Sequence, residues 1–82
     1  MRLPSRTAEP RRLAIGLAIR LERQKQGLTQ KELAARCGLY PGYVCRLERN
    51  NVEPQILTFS NVALALKRRP SELLRAAEDG AI

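Results

Sequence analysis

Residues 29–48 contain two short helical stretches separated by a glycine, and this pattern constrains the fold more than any other feature of the chain. Thr29 and Glu32 have the spacing of a capping box, in which each side chain bonds the other's backbone amide at a helix start. Gly38 suits the end of that helix, and Pro41 suits the first position of the next one. Helices this short are not stable alone. The sequence therefore predicts two helices joined by a tight turn and packed within a helical domain.

The rest of the chain also has apolar residues at helical spacing and lacks the alternation typical of strands. Further helices are predicted at residues 11–26, 56–66 and 71–77. With 82 residues, the chain has room for one compact domain only. We therefore predict an all-α fold of five compactly packed helices.

The predicted domain covers residues 11–77. The segment before it, residues 1–10, holds two prolines and two arginines and is expected to be a flexible basic arm. Residues 78–82 are expected to form a fraying C-terminal tail.

The charge balance favours a polyanionic partner. Fifteen Lys and Arg against eight Asp and Glu give a formal charge of +7 and a pI of about 10.5.

The chain has no histidine and two cysteines, Cys37 and Cys45, so the usual zinc ligand sets and Cys-His catalytic pairs are missing. We expect no metal, no cofactor, no small-molecule ligand and no enzymatic activity. Without an apolar run of roughly 18 residues, a cytoplasmic protein with reduced thiols and no membrane attachment is expected.

Several motifs occur in one register along the chain. They are Ile15-Gly16, Ile19-Arg20 with Arg23, Gly27-Leu28-Thr29-Gln30 with Glu32-Leu33-Ala34, Gly38-Leu39, Tyr43-Val44, Leu47-Glu48-Arg49, Pro54, Val62-Ala63, Ala65-Leu66 and Ser71-Glu72-Leu73-Leu74. In this arrangement the chain resembles the Cro and phage-repressor family of helix-turn-helix proteins, also called XRE-like. The resemblance implies a lambda-repressor-like domain that binds double-stranded DNA, and restriction-modification controller proteins fit slightly better than other members.

The second helix of the pair is the candidate DNA-reading element. Val44 and Leu47 share one face and are expected to anchor it, so its opposite edge projects outward into the major groove. Arg46 is the candidate for base recognition, because a guanidinium can form two hydrogen bonds with guanine. A phosphate contact or a solvated arginine is the alternative. Tyr43 is expected either to contact DNA or to pack against Leu39.

Further contacts are expected beside this edge. The resemblance implies that Gln30 binds a backbone phosphate at the positive end of a helix dipole. Tyr40 is a poorer helix cap than Ser or Thr, which suggests a phosphate contact instead, and Arg49 is a second phosphate candidate. Cys45 is interpreted as a small residue tolerated beside DNA, with a redox switch as the alternative. The complete predicted DNA-binding set is Thr29, Gln30, Tyr40, Gly42, Tyr43, Arg46 and Arg49.

Arg23 and Glu48 align with an internal ion pair of the family. The resemblance implies that they link the first helix to the end of the recognition helix and have a structural role. Removing one partner would leave a partly buried charge, so a loss of binding in such a variant would not prove a DNA contact.

A second apolar stripe on the first helix, formed by Leu13, Leu17 and Leu21, suggests a homodimer. The end of the fifth helix, with Leu74 and Ile82, is the alternative interface. We expect a transcriptional regulator that binds a two-fold operator with half-sites about 34 Å apart. The alternative function is an antitoxin-like module that neutralises a protein partner and regulates its own expression.

Overall fold

Five helices form the described part of the chain, residues 13–80 of the computed structural model. Their bounds are Ile15–Lys25 (α1), Gln30–Cys37 (α2), Pro41–Glu48 (α3), Ile56–Ala65 (α4) and Pro70–Asp79 (α5). No strand occurs within these residues. The predicted all-α, five-helix fold is therefore confirmed. None of the helices in this range has the length and apolar character needed to cross a lipid bilayer.

The segment from Thr29 to Pro41 has the predicted local chemistry. The Thr29 hydroxyl accepts from the Glu32 amide at 3.0 Å, and the Glu32 carboxylate accepts from the Thr29 amide at 3.0 Å. Gly38 ends α2 in the left-handed conformation, with φ of 68°, which costs a glycine no steric strain. Pro41 then occupies the first turn of α3. These local interactions determine where α2 begins, where it ends and where α3 begins.

The core is apolar and draws on every helix. Helix α1 packs against α3 and α5, α2 packs against α3 and α4, and α4 also packs against α5. The largest fully buried side chains are Ile19, Leu33, Val44, Leu47, Val62 and Leu66. Because α3 contacts both α1 and α2, its orientation is fixed from two sides.

The first and last helices differ in extent from the predicted ones. Helix α1 begins at Ile15, and the predicted arm at residues 1–10 lies outside the described residues. Helix α5 extends to Asp79, two residues beyond the predicted end of the helix at Ala77. Its end is held because Ala77 is fully buried and its carbonyl accepts from the Ala14 amide at 3.0 Å. Ile82 lies outside the described residues.

Candidate nucleic-acid interface

Helix α3 presents one edge to solvent. Val44 and Leu47 are 0% and 1% exposed, so they anchor the helix in the core as predicted. Gly42 and Arg46 on the opposite edge are exposed, and Tyr43 between the two faces is half-buried. Arg46 forms no salt bridge within residues 13–80. Its guanidinium is therefore available to an external acceptor.

A shallow depression of about 520 Å³ lies beside this edge. It is lined by the end of the turn and the exposed side of α3, namely Gly38, Leu39, Tyr40, Gly42, Tyr43 and Arg46. Tyr40 precedes α3, forms no side-chain cap and is 84% exposed. A Cβ added at Gly42 would meet nothing within 4 Å. The surface is thus open, aromatic and basic, and a DNA backbone or base edge could approach the helix closely there.

Tyr43 lies between its two predicted roles. It packs against the edge of the core together with Leu39, and it also lines the exposed depression. A tyrosine in this position can bury its ring edge and still offer its hydroxyl to solvent. Both predicted roles of Tyr43 therefore stay predictions.

Arg23 and Glu48 form the ion pair that the resemblance implies. Arg23 Nε and Nη2 donate to the two carboxylate oxygens of Glu48 at 2.6 and 2.9 Å, and Nη1 donates to the Leu28 carbonyl at 2.7 Å. The two side chains are 12% and 2% exposed. Hydrogen bonding to Glu48 raises the pKa of Arg23, against the opposing effect of burial. This pair ties α1 and the loop before α2 to the end of α3.

Gln30 belongs to the same network, which the sequence did not indicate. Its Nε2 donates to Glu48 Oε1 at 3.0 Å, and the side chain is half-buried. One of its two amide hydrogens is therefore engaged within the protein, while the second is not required by this bond. Glu48 thus accepts from two side chains at once. It holds Gln30 at the start of α2 beside the exposed edge of α3.

Gly16 allows α1 to approach the end of α3. A Cβ at Gly16 would clash with the backbone carbonyl oxygen of Leu47 and would lie 2.6 Å from that of Glu48. The Gly16 amide donates to Asn50 Oδ1 at 3.0 Å, and Asn50 itself has a φ of 60°. The sequence contained one signal of this contact, a glycine within an otherwise strong helical segment.

The remaining predicted residues lie on or beside α2 and α3, and they differ in exposure. Arg49 follows α3 directly and is exposed, and Thr29 is exposed with its hydroxyl oxygen in the α2 cap. Cys45 is half-buried on α3. Cys37 is only half-buried, at the edge of the core, and burial raises the pKa of its thiol. The predicted DNA-binding residues thus lie on two neighbouring elements, the start of α2 and the exposed edge of α3 with its flanks.

The fold and the exposed edge of α3 define a helix-turn-helix protein. The chain belongs to the helix-turn-helix family, whose model matches residues 19–73. A comparison with curated protein sequences gives no significant match.

Solved structures that are similar to this chain at more than 30% identity include two gene regulators and a restriction-modification controller protein. The clp gene regulator ClgR from C. glutamicum shares 31% identity over 92% of this chain and 97% of its own, with a TM-score of 0.82. The restriction-modification controller protein C.AhdI from Aeromonas hydrophila shares 33% identity over 74% of this chain and 92% of its own, with a TM-score of 0.72. The biofilm master regulator SinR, solved in complex with DNA, shares 31% identity over 73% of this chain and 97% of its own, with a TM-score of 0.69.

Proposed function

We propose that this protein is a sequence-specific transcriptional regulator that binds double-stranded DNA through the major groove. The observation that carries this proposal is the exposed edge of α3, on which Arg46 is free of salt bridges within residues 13–80 while Val44 and Leu47 hold the opposite face in the core. Membership of the helix-turn-helix family supports it, as do the regulators ClgR, C.AhdI and SinR among the similar structures.

In this proposal Arg46 reads a base, and the other contacts position the helix. A guanidinium that pairs with guanine O6 and N7 discriminates against the wrong base by about 1–3 kcal/mol. Tyr40, Tyr43 and Arg49 contact phosphates on either side of the groove. Gly42, which has no side chain, lets the backbone of α3 approach the DNA. Because Pro41 and Gly42 offer no polar side chain, sequence-dependent DNA shape supplies part of the specificity.

The start of α2 supplies a second phosphate contact. Gln30 uses one amide hydrogen for Glu48, and the other donates to a phosphate oxygen beside the free backbone amides of the first turn. Thr29 lies next to it and is exposed. Because Glu48 is fixed by Arg23, the orientation of Gln30 is set before DNA binds.

We further propose that the protein binds a two-fold operator as a homodimer. Two recognition helices related by two-fold symmetry would enter successive major grooves about 34 Å apart. A net charge of +7 per chain gives the dimer a strong attraction to phosphates, which salt weakens.

Competition binding tests this function. Operators are first selected from a random duplex pool with the full chain, and a labelled operator is then titrated in the presence of excess random duplex. A specific regulator is expected to prefer its operator by roughly 10³-fold or more. A ratio near one over a range of salt concentrations would leave only charge-driven, non-specific binding and would refute the proposal.

A further inference from the structure

The outer face of α4 is apolar and is not covered by other parts of residues 13–80. Leu57 and Leu64 are 74% and 60% exposed, and Ile56 at the start of the helix is 78% exposed. The opposite side of α4 already supplies Phe59, Val62 and other residues to the core, so this helix is apolar on both sides. A helix that is apolar all round is normally covered on all sides.

The α4 face also lacks charge. Helix α4 has the sequence ILTFSNVALA and is the only one of the five helices within residues 13–80 without an Asp, Glu, Lys or Arg. This matters because each chain carries a formal charge of +7, and two copies repel wherever basic residues face each other. An uncharged apolar face is the surface where a second copy meets the least repulsion.

The exposed residues of the α4 face are compatible with two-fold symmetry. In a two-fold contact, a residue near the axis meets its own copy. Leu57, Asn61 and Leu64 lie at i, i+4 and i+7 and form one exposed stripe. Leucine packs against leucine, and an asparagine amide can donate to and accept from a second asparagine amide. A buried polar asparagine of this kind can also fix the register of paired helices.

The charges beyond the helix ends fit an antiparallel pair. Glu53 lies before α4 and Lys67 lies after it, and both are exposed. When two copies of α4 run antiparallel, the Glu53 end of one lies beside the Lys67 end of the other, and the helix dipoles also oppose each other favourably. None of the residues proposed to contact DNA lies on this face, so both surfaces can be used together.

We infer that a second copy of this chain docks on the α4 face, with Asn61 nearest the two-fold axis and with Leu57 and Leu64 on either side of it. This inference rests on the proposed function in one respect only, namely that the regulator acts as a homodimer. It differs from both interfaces that the sequence suggested, the leucine stripe of α1 and the end of α5. Leu17 and Leu21 on α1 are 40% and 55% exposed, but they border a groove of about 480 Å³ that α5 also lines. That groove is charged, because its lining includes Glu22, Lys25, Arg68, Glu72 and Arg75.

Sedimentation equilibrium of the full chain and three variants tests the inference. Leu64→Glu adds two carboxylates to the interface, one from each copy, and is expected to raise the dimer dissociation constant at least about 100-fold. Leu21→Glu on α1 is the matched control and is expected to leave the dimer unchanged. Because both leucines are exposed, circular dichroism is expected to show the same helix content in all samples. A Leu64→Glu protein that dimerises like wild type, or a Leu21→Glu protein that becomes monomeric, would overturn the inference.

Asn61→Asp provides an independent test that changes charge and keeps shape. The substitution is expected to raise the dimer dissociation constant at least about tenfold in low salt. At 1 M salt, where the Debye length falls to about 3 Å, dimerisation is expected to recover partly. Unchanged dimerisation would overturn the position of Asn61 on the axis.

A wild-type chain that is monomeric at every concentration but binds one half-site specifically would refute the α4 interface and leave DNA recognition intact. A dimer disrupted by Leu64→Glu that has no sequence preference would refute the function and leave the interface intact.

Discussion

The buried pair Arg23–Glu48 allows a quantitative test of how α3 is held. Replacing Glu48 by Met leaves the Arg23 guanidinium, whose side chain is 12% exposed, without its carboxylate. It also removes the acceptor of Gln30. Breaking a buried pair from one side costs about 3–5 kcal/mol. A domain of this length has a free energy of unfolding of only about 4–12 kcal/mol, so the Glu48→Met protein should be severely destabilised.

Replacing both partners is expected to cost much less. In the Arg23→Met/Glu48→Met double variant no unpaired charge remains, and well-packed apolar residues in place of a buried pair are often neutral or stabilising. We expect the double variant to be at least about 2 kcal/mol more stable than Glu48→Met alone. The remaining cost includes the Leu28 carbonyl, which loses its bond from Arg23.

Urea unfolding of the two single variants and the double variant measures this coupling. The control is Arg68–Glu22, an ion pair of 3.2 Å whose side chains are 36% and 15% exposed, for which a coupling of about 0–1 kcal/mol is expected because solvent screens it. If the Arg23 and Glu48 substitutions were additive within about 0.5 kcal/mol, the two residues would not act as one buried unit. The ion pair would then not be what holds the end of α3 in place.

Three further changes probe the contacts around this pair. Arg49→Ala is expected to weaken binding to all DNA sequences alike and to reduce the slope of log affinity against log salt by about one, whereas a sequence-dependent loss would identify a base contact. Gly16→Ala is expected to destabilise the fold by about 1–3 kcal/mol in urea unfolding, since its Cβ would clash with the α3 carbonyls, and a neutral effect would contradict that close approach. Bonds from Thr29 lower the pKa of Glu32, so the stability this group adds should be present above its ordinary pKa of 4.5 and be lost as pH falls through the lowered value. Glu32→Gln should reduce that acid dependence of the melting temperature, and an unchanged pH profile would show that Glu32 does not contribute.

The sequence alone predicted the parts of the fold that depend on local chemistry. The capping box at Thr29, the turn at Gly38 and the start of α3 at Pro41 each involve residues a few positions apart. The buried face of α3 was also predictable, because Val44 and Leu47 are three positions apart and share one side of a helix. The Arg23–Glu48 pair was available only through the family resemblance, since no local pattern relates residues 25 positions apart.

The parts that the sequence did not predict depend on packing. Gly16 and Asn50 are separated by 34 positions, and Gln30 and Glu48 by 18, so neither contact has a local signature. The end of α5 at Asp79 follows from the burial of Ala77 against the start of α1. The periodicity of α4 indicated its core face, but the exposure of Leu57 and Leu64 became visible only when the other helices were in place.

The contact between Arg46 and a guanine is the central claim, and a cycle that alters both partners tests it most directly. The affinities of wild type and Arg46→Ala are measured for the selected operator and for operators in which one guanine at a time is replaced by 7-deazaguanine, which lacks the N7 acceptor. At one position in each half-site, the modified base is expected to weaken wild type by about 1 kcal/mol or more and to have no effect on Arg46→Ala. Equal losses for the two proteins at every guanine would contradict the claim and leave Arg46 as a phosphate contact.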